Sequence, residues 1–117
     1  AYLNRAKEIA EKEGVNFTVT TSPFEAAKDA DVLITDVWAS MGHEEEAAER
    51  AKAFEGFQIN KELLAVADKN VMVLHCLPAH RGEEITAEVL EEYADSIFDE
   101  SENRLHAQKA VLVKLMK

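Results

Sequence analysis

Apolar residues recur in this chain with two periods, one helical and one strand-like, and segments of the two kinds alternate. Residues 3 to 13 place Leu3, Ala6, Ile9 and Ala10 at helical spacing and stop at Gly14, a favourable C-terminal cap. Val15 to Thr20 alternates with period two and predicts a strand with one wetter face, near a sheet edge. Ser22-Pro23-Phe24-Glu25 supplies an N-cap, a proline in the first helical position and the glutamate of a capping box, predicting a short helix to about Lys28. Asp31 to Asp36 is a nearly continuous apolar run, as expected of a parallel strand covered on both faces.

The second half repeats the pattern. Glu44 to Phe54, rich in Ala and Glu, predicts a helix whose acidic start, Glu44-Glu45-Glu46, is solvated and favoured by the helix dipole. Asn60 caps a helix through Leu63, Leu64 and Ala67, and the strand Val71 to Leu74 follows. Thr86 caps a further helix with Val89 and Leu90 facing inward; Ser96 to Asp99 reads as a brief strand, and a last helix from about Ser101 carries Leu105, Ala110, Val111 and Leu115. Short alternating helices and strands define an α/β fold: a three-layer, Rossmann-like parallel sheet with helices on both faces. Such domains usually start with a central strand. This chain opens on a helix, so the expectation is one domain, residues 1–117, incomplete at its N-terminus and lacking its first strand.

Composition narrows the function classes. At 117 residues and 47% hydrophobic content the chain can bury one core. The net charge of −10, from 23 acids against 13 bases, argues against nucleic acid or an anionic membrane as a partner and opposes phosphate binding by this chain alone. The four glycines are scattered and form no phosphate loop. The single cysteine cannot form an internal disulfide, and no signal peptide is recognisable, which fits the cytoplasm.

The chemistry concentrates at two strand ends. Val71 to Leu74 runs directly into His75-Cys76-Leu77-Pro78-Ala79-His80-Arg81-Gly82, and the apolar run 31–35 into Asp36-Val37-Trp38-Ala39-Ser40-Met41-Gly42. In an open parallel sheet, ligands bind beyond the carboxyl ends of strands. If the two strands are neighbours, Asp36 and Cys76 lie in one crevice, about 5 Å apart. A carboxylate there can hold an ammonium group, a thiol can face an amine without carrying charge, and Ser40 with the backbone of Met41-Gly42 can bond a carboxylate. Together they suit an amino acid. The plainer alternatives are that Cys76 is a buried small hydrophobe and Asp36 a loop cap. His75, Cys76 and His80 lie within six residues, but with no second cluster they read as loop residues, not as a metal site.

Residues 36–42, 75–82 and 98–110 (Phe-Asp-Glu-Ser-Glu-Asn-Arg-Leu-His-Ala-Gln-Lys-Ala), in this order and at these separations, closely resemble the ornithine carbamoyltransferases. The resemblance covers about Glu8 to Met116 and only the C-terminal, ornithine-binding part of such an enzyme. It implies transfer of the carbamoyl group of carbamoyl phosphate to the δ-amine of L-ornithine, giving citrulline and phosphate in arginine metabolism, with no metal or organic cofactor. Asp36 would bind the α-ammonium, while Ser40 and Met41 would contact the amino-acid end. Cys76 and Leu77 would lie at the reacting centre, and Arg104 would reach carbamoyl phosphate.

The family's basic Ser-x-Arg-Thr loop and its His-Pro-x-x-Gln segment have no counterpart here, so the chain alone is expected to be inactive. Its missing partner is an N-terminal carbamoyl-phosphate domain, in a whole enzyme that the resemblance makes a homotrimer. Two alternatives stay open. One is a carbamoyltransferase for a related amine, putrescine or acetylated ornithine, although Ser40-Met41-Gly42 favours free ornithine. The other is a non-catalytic α/β module that retains the fold.

Overall fold

Two parallel strands organise the chain around them. The computed structural model describes residues 2–39 and 46–116. Its elements follow the order α1 (Tyr2–Glu13), α2 (Pro23–Ala27), β1 (Val32–Thr35), α3 (Ala47–Ala53), α4 (Lys61–Leu64), β2 (Met72–His75), α5 (Ala87–Glu92) and α6 (Ala94–Leu115). β1 pairs with β2 in parallel, Val32 opposite Met72 and Thr35 opposite His75. The crossover between them carries α3 and α4, as parallel pairing requires.

Successive strand residues point to opposite faces. Leu33, Thr35, Val73 and His75 therefore share one side, where Val73 and His75 are fully buried. That side meets the core: Ala27 of α2, Ile59, Leu63 of α4, Ile85, and Val89 and Leu90 of α5. On the opposite side Val32, Ile34 and Met72 stay exposed. α6 borders Met72 and Leu74 there through Ser96, Asp99, Glu100 and Asn103. The Ser96 hydroxyl also donates to the Val73 carbonyl at 2.8 Å, so the start of α6 shields the edge of β2 turned away from β1.

Helix ends obey local chemistry. Gly14 adopts φ 68, and its N–H bonds to Glu11 while that of Val15 reaches the Ala10 carbonyl at 3.0 Å, the double closure that a left-handed residue permits. Asn60 and Thr86 accept from the N–H groups of Leu63 and Val89, as expected of N-caps. At α2 the capping box closes through an intermediary. Ser22 accepts from the Glu25 N–H at 3.3 Å, its own N–H donates to the Thr20 hydroxyl, and that hydroxyl donates to the Glu25 carboxylate.

Three expectations from the sequence fail. β1, read as covered on both faces, leaves Val32 and Ile34 exposed on one of them, because no described element packs over that part of the sheet. Val15 to Thr20 forms no strand, and Val15, Phe17 and Val19 are exposed. Alternation alone does not make a strand without a ladder partner, and the described sheet has two strands only. Ser96 to Asp99, read as a strand, lies inside α6, which starts at Ala94 and not near Ser101. Its local bonds are helical: the Ile97 N–H and the Ser96 hydroxyl both donate to the Tyr93 carbonyl, and Ile97 enters the apolar core from the helix, not from a third strand. The class expected from the sequence holds nonetheless, an α/β unit built on a parallel sheet with helices packed against it. Among the described residues no helix is long and apolar enough to cross a membrane.

Unequal burial of the two sheet sides predicts unequal mutational cost. Ile85→Ala, at a fully buried position, should lower unfolding free energy by about 2–5 kcal/mol in urea titrations. Ile34→Ala, at a residue 69% exposed, should stay within about 0.5 kcal/mol of the parent. Equal losses would mean that the core side has been misassigned.

Candidate functional site

The register of the sheet decides what meets at its carboxyl end. With Thr35 opposite His75, the next residues, Asp36 and Cys76, emerge side by side. The Cys76 thiol donates to Asp36 Oδ1 at 3.4 Å, and the same oxygen accepts the Val37 N–H at 2.7 Å. This leaves Asp36 Oδ2 without a hydrogen bond among the described residues, and so able to receive an ammonium group.

Its surroundings raise the Cys76 thiol above its usual range. Burial is the largest influence, followed by the hydrogen bond to Asp36 and the charge on that carboxylate. Each disfavours the thiolate. The site therefore presents a neutral thiol beside a carboxylate, an arrangement suited to accommodating an amine and unsuited to covalent attack by sulfur.

Behind Cys76 lies a buried polar pair that the sequence reading did not assign. His75 and Glu84 are both fully buried, with His75 Nε2 2.9 Å from Glu84 Oε1. His75 Nδ1 accepts the Leu77 N–H at 2.9 Å, and Glu84 Oε1 also accepts the His80 N–H at 2.6 Å. Leu77, with φ 53, precedes a cis peptide bond to Pro78. A signal for this pair existed in the sequence. His75 shares the parity of Val73, so it had to be buried, and a buried imidazole needs a partner, for which Glu83 and Glu84 are the first acids that follow it along the chain.

The other expected site residues fare differently. Leu77 follows Cys76 directly in the fixed loop, as expected. Ser40 and Met41 lie outside the described residues. Arg104 stands exposed on α6, with no described ion pair to Glu100 or any other acid and no described contact to Asp36, Cys76 or Leu77. Glu100, one helical turn earlier, has a buried oxygen, Oε2, without a partner among the described residues, and its charge adds slightly to the upward push on the Cys76 thiol.

A cleft of about 340 Å³ adjoins Asp36 and includes Trp38, Phe54 and Phe57 in its wall. Trp38 stacks on Phe54 at 6.1 Å between ring centroids, and Phe57 meets Phe54 edge-on. A hollow of about 450 Å³ beside Ala107, Gln108, Val111 and Leu112 has no titratable group in its wall, unlike the cleft at Asp36. One set of potential cation ligands, His80, Glu83 and Glu84, lies within 4.8 Å among the described residues; Glu84 Oε1 is taken by two N–H groups, and its Oε2 is buried without a partner among the described residues.

The geometry so far defines an α/β domain whose strand ends offer a carboxylate and a neutral thiol to an amine-bearing ligand. Comparison with known proteins places it more closely. Residues 1–115 match the family described as aspartate/ornithine carbamoyltransferase, Asp/Orn binding domain, and the chain belongs to that family. The ornithine carbamoyltransferase of Syntrophotalea carbinolica is 59% identical over 109 residues, covering 93% of this chain and 36% of that protein. The anabolic ornithine carbamoyltransferase of Campylobacter jejuni superposes with a TM-score of 0.88 at 46% identity, over 94% of this chain and 36% of that one. A more distant neighbour, an N-acetyl-L-ornithine transcarbamylase, reaches a TM-score of 0.73 at 29% identity, over 97% of this chain and 35% of that one. The chain thus spans about a third of the length of the curated relatives it matches.

Removing the acceptor of the thiol should show its effect. In Asp36→Asn the hydrogen bond to a carboxylate and its negative charge are lost while burial remains. The pH midpoint of Cys76 alkylation by iodoacetamide should fall, without reaching that of an exposed cysteine. An unchanged midpoint would mean that Asp36 does not act on the thiol.

Proposed function

We propose that this chain is the ornithine-binding part of an ornithine carbamoyltransferase, with residues 1–117 forming one domain that acts with a carbamoyl-phosphate domain supplied by a longer polypeptide. One observation carries the reading: the contact between the Cys76 thiol and the Asp36 carboxylate at the ends of two adjacent parallel strands. The similarity supports ornithine over its acetylated form, because relatives named for ornithine share 46% and 59% of their residues with this chain and the N-acetyl-L-ornithine neighbour shares 29%.

In this mechanism the δ-nitrogen of ornithine forms a bond to the carbamoyl carbon, and the bond from that carbon to the phosphate oxygen breaks. The δ-nitrogen must first be neutral. A half-buried pocket beside a neutral thiol disfavours δ-ammonium, while Asp36 Oδ2 holds the α-ammonium. Cys76 and the Leu77 carbonyl orient the amine toward the carbamoyl group, an effect that reaches roughly 7 to 11 kcal/mol in well-aligned systems. Ser40 and Met41 contact the amino-acid end of ornithine, and Arg104 reaches the phosphate side, where its charge stabilises the departing group. The net charge of −10 is consistent with most of the phosphate clamp lying outside this chain. In the whole enzyme the reading includes a cytoplasmic homotrimer in arginine metabolism, with no cofactor.

Assay by citrulline formation tests the reading in two arms. The 117-residue chain alone should form none above the uncatalysed rate, and the same chain joined to the N-terminal part of a related enzyme should turn over. Citrulline from the chain alone, or none from the joined enzyme when it is folded and binds carbamoyl phosphate, would overturn it. In the joined enzyme Asp36→Asn should weaken norvaline, which keeps the α-amino acid group and lacks the reacting amine, by about 2–5 kcal/mol while carbamoyl phosphate binding stays near its parent value. Norvaline affinity that survives the substitution removes Asp36 from the α-ammonium.

A further inference from the structure

We propose that Glu84 is a positioning residue for the carbamoyl-transfer site, acting through His75 on the peptide of Leu77; the inference rests on the function proposed above. Glu84 and His75 are fully buried in a core that is otherwise apolar, and neither side chain can touch a ligand in the crevice from there. Their hydrogen bonds nevertheless lead to it. His75 Nδ1 accepts the Leu77 N–H, so that nitrogen is bare in the neutral ring and the proton sits on Nε2, which donates to Glu84 Oε1. The carboxylate therefore selects the tautomer that can hold Leu77.

Leu77 needs holding. Its φ of 53 lies in the left-handed region, which L-residues with a side chain occupy only at a cost. Capture of its N–H by His75 fixes the orientation of the peptide that joins Cys76 to Leu77, and so the direction of both groups assigned to the reacting centre. The same Glu84 oxygen accepts the His80 N–H, closing the far end of the loop. Glu84 itself is anchored from outside the loop. Its carbonyl accepts the Ile59 N–H at 2.9 Å, and the Gln58 amide donates to the carbonyls of Gly82 and Glu83. The line of support runs from residues 58–59 through Glu84 and His75 to Leu77 and Cys76, without an exposed link in its middle.

Two measurements test this, and they fail independently of the enzymatic reading. Nitrogen-15 NMR of the histidine-labelled chain should show His75 with a bare Nδ1 and a protonated Nε2; the opposite tautomer, or averaging between the two, would overturn the proposal whether or not the protein is an enzyme. In the joined enzyme, once parent turnover is established, Glu84→Ala should lower kcat roughly ten- to a hundredfold while norvaline affinity changes less than about threefold. Glu84→Gln, whose amide oxygen can accept the same two N–H groups while its NH2 takes the place of the partnerless Oε2, should recover part of that loss. Parent-like turnover in Glu84→Ala, or turnover and norvaline binding lost in proportion, refutes positioning. So does a Gln variant as impaired as the Ala variant. If Glu84→Ala does not fold, the tautomer measurement decides. A parent enzyme without carbamoyl transfer would sink the functional reading and leave the hydrogen-bond geometry still to be judged by NMR.

Discussion

Parallel pairing of β1 with β2 in one register is the constraint on which everything else depends. Thr35 opposite His75 makes Asp36 and Cys76 neighbours, and the same register sends Val73 and His75 into the core while Val32 and Met72 face outward. A slip of one residue would reverse both outcomes at once, because strand side chains alternate between faces. The fold therefore cannot keep its core and lose its site by sliding. The apolar demand for burial at Val73 specifies the chemical contact three residues further on, at Cys76.

The two halves of the crevice are held in different ways. Cys76 and Leu77 sit on a loop bonded inward to a buried acid and imidazole, whose hydrogen bonds offset part of the cost of taking polar groups out of water. Asp36 is held more locally, by its own strand and by the N–H of the next residue. A rigid wall that carries the thiol thus faces a more open wall that carries the charge, backed by the Trp38, Phe54 and Phe57 rings.

What the sequence made legible was local. Gly14, Ser22, Asn60 and Thr86 announce helix ends because the caps need only the residue and its next few neighbours. The two apolar runs announced β1 and β2, and their abrupt polar ends announced Asp36 and Cys76. What failed was non-local. Residues 15–20 and 96–99 both have strand-like composition, yet strand formation depends on a partner that a linear pattern does not name. Glu84 escaped notice for a related reason: an acid followed by Ile85 in a loop looks solvated until tertiary contacts turn it inward. Arg104 and the residues at 40 and 41 were reached through family resemblance and not through any pattern of their own.

The uncovered side of the sheet bears on how this chain behaves as a colloid. Val32, Ile34 and Met72 present carbon to water, as do Val111, Leu112 and Leu115 near the end of α6, a surface that would draw molecules together. Opposing this is the net charge of −10, whose mutual repulsion between molecules reaches only about a Debye length, roughly 10 Å in 0.1 M salt. Dispersal in solution is accordingly an electrostatic property more than a property of the surface chemistry. Added electrolyte, which leaves every internal hydrogen bond in place, weakens the barrier that keeps separate copies apart.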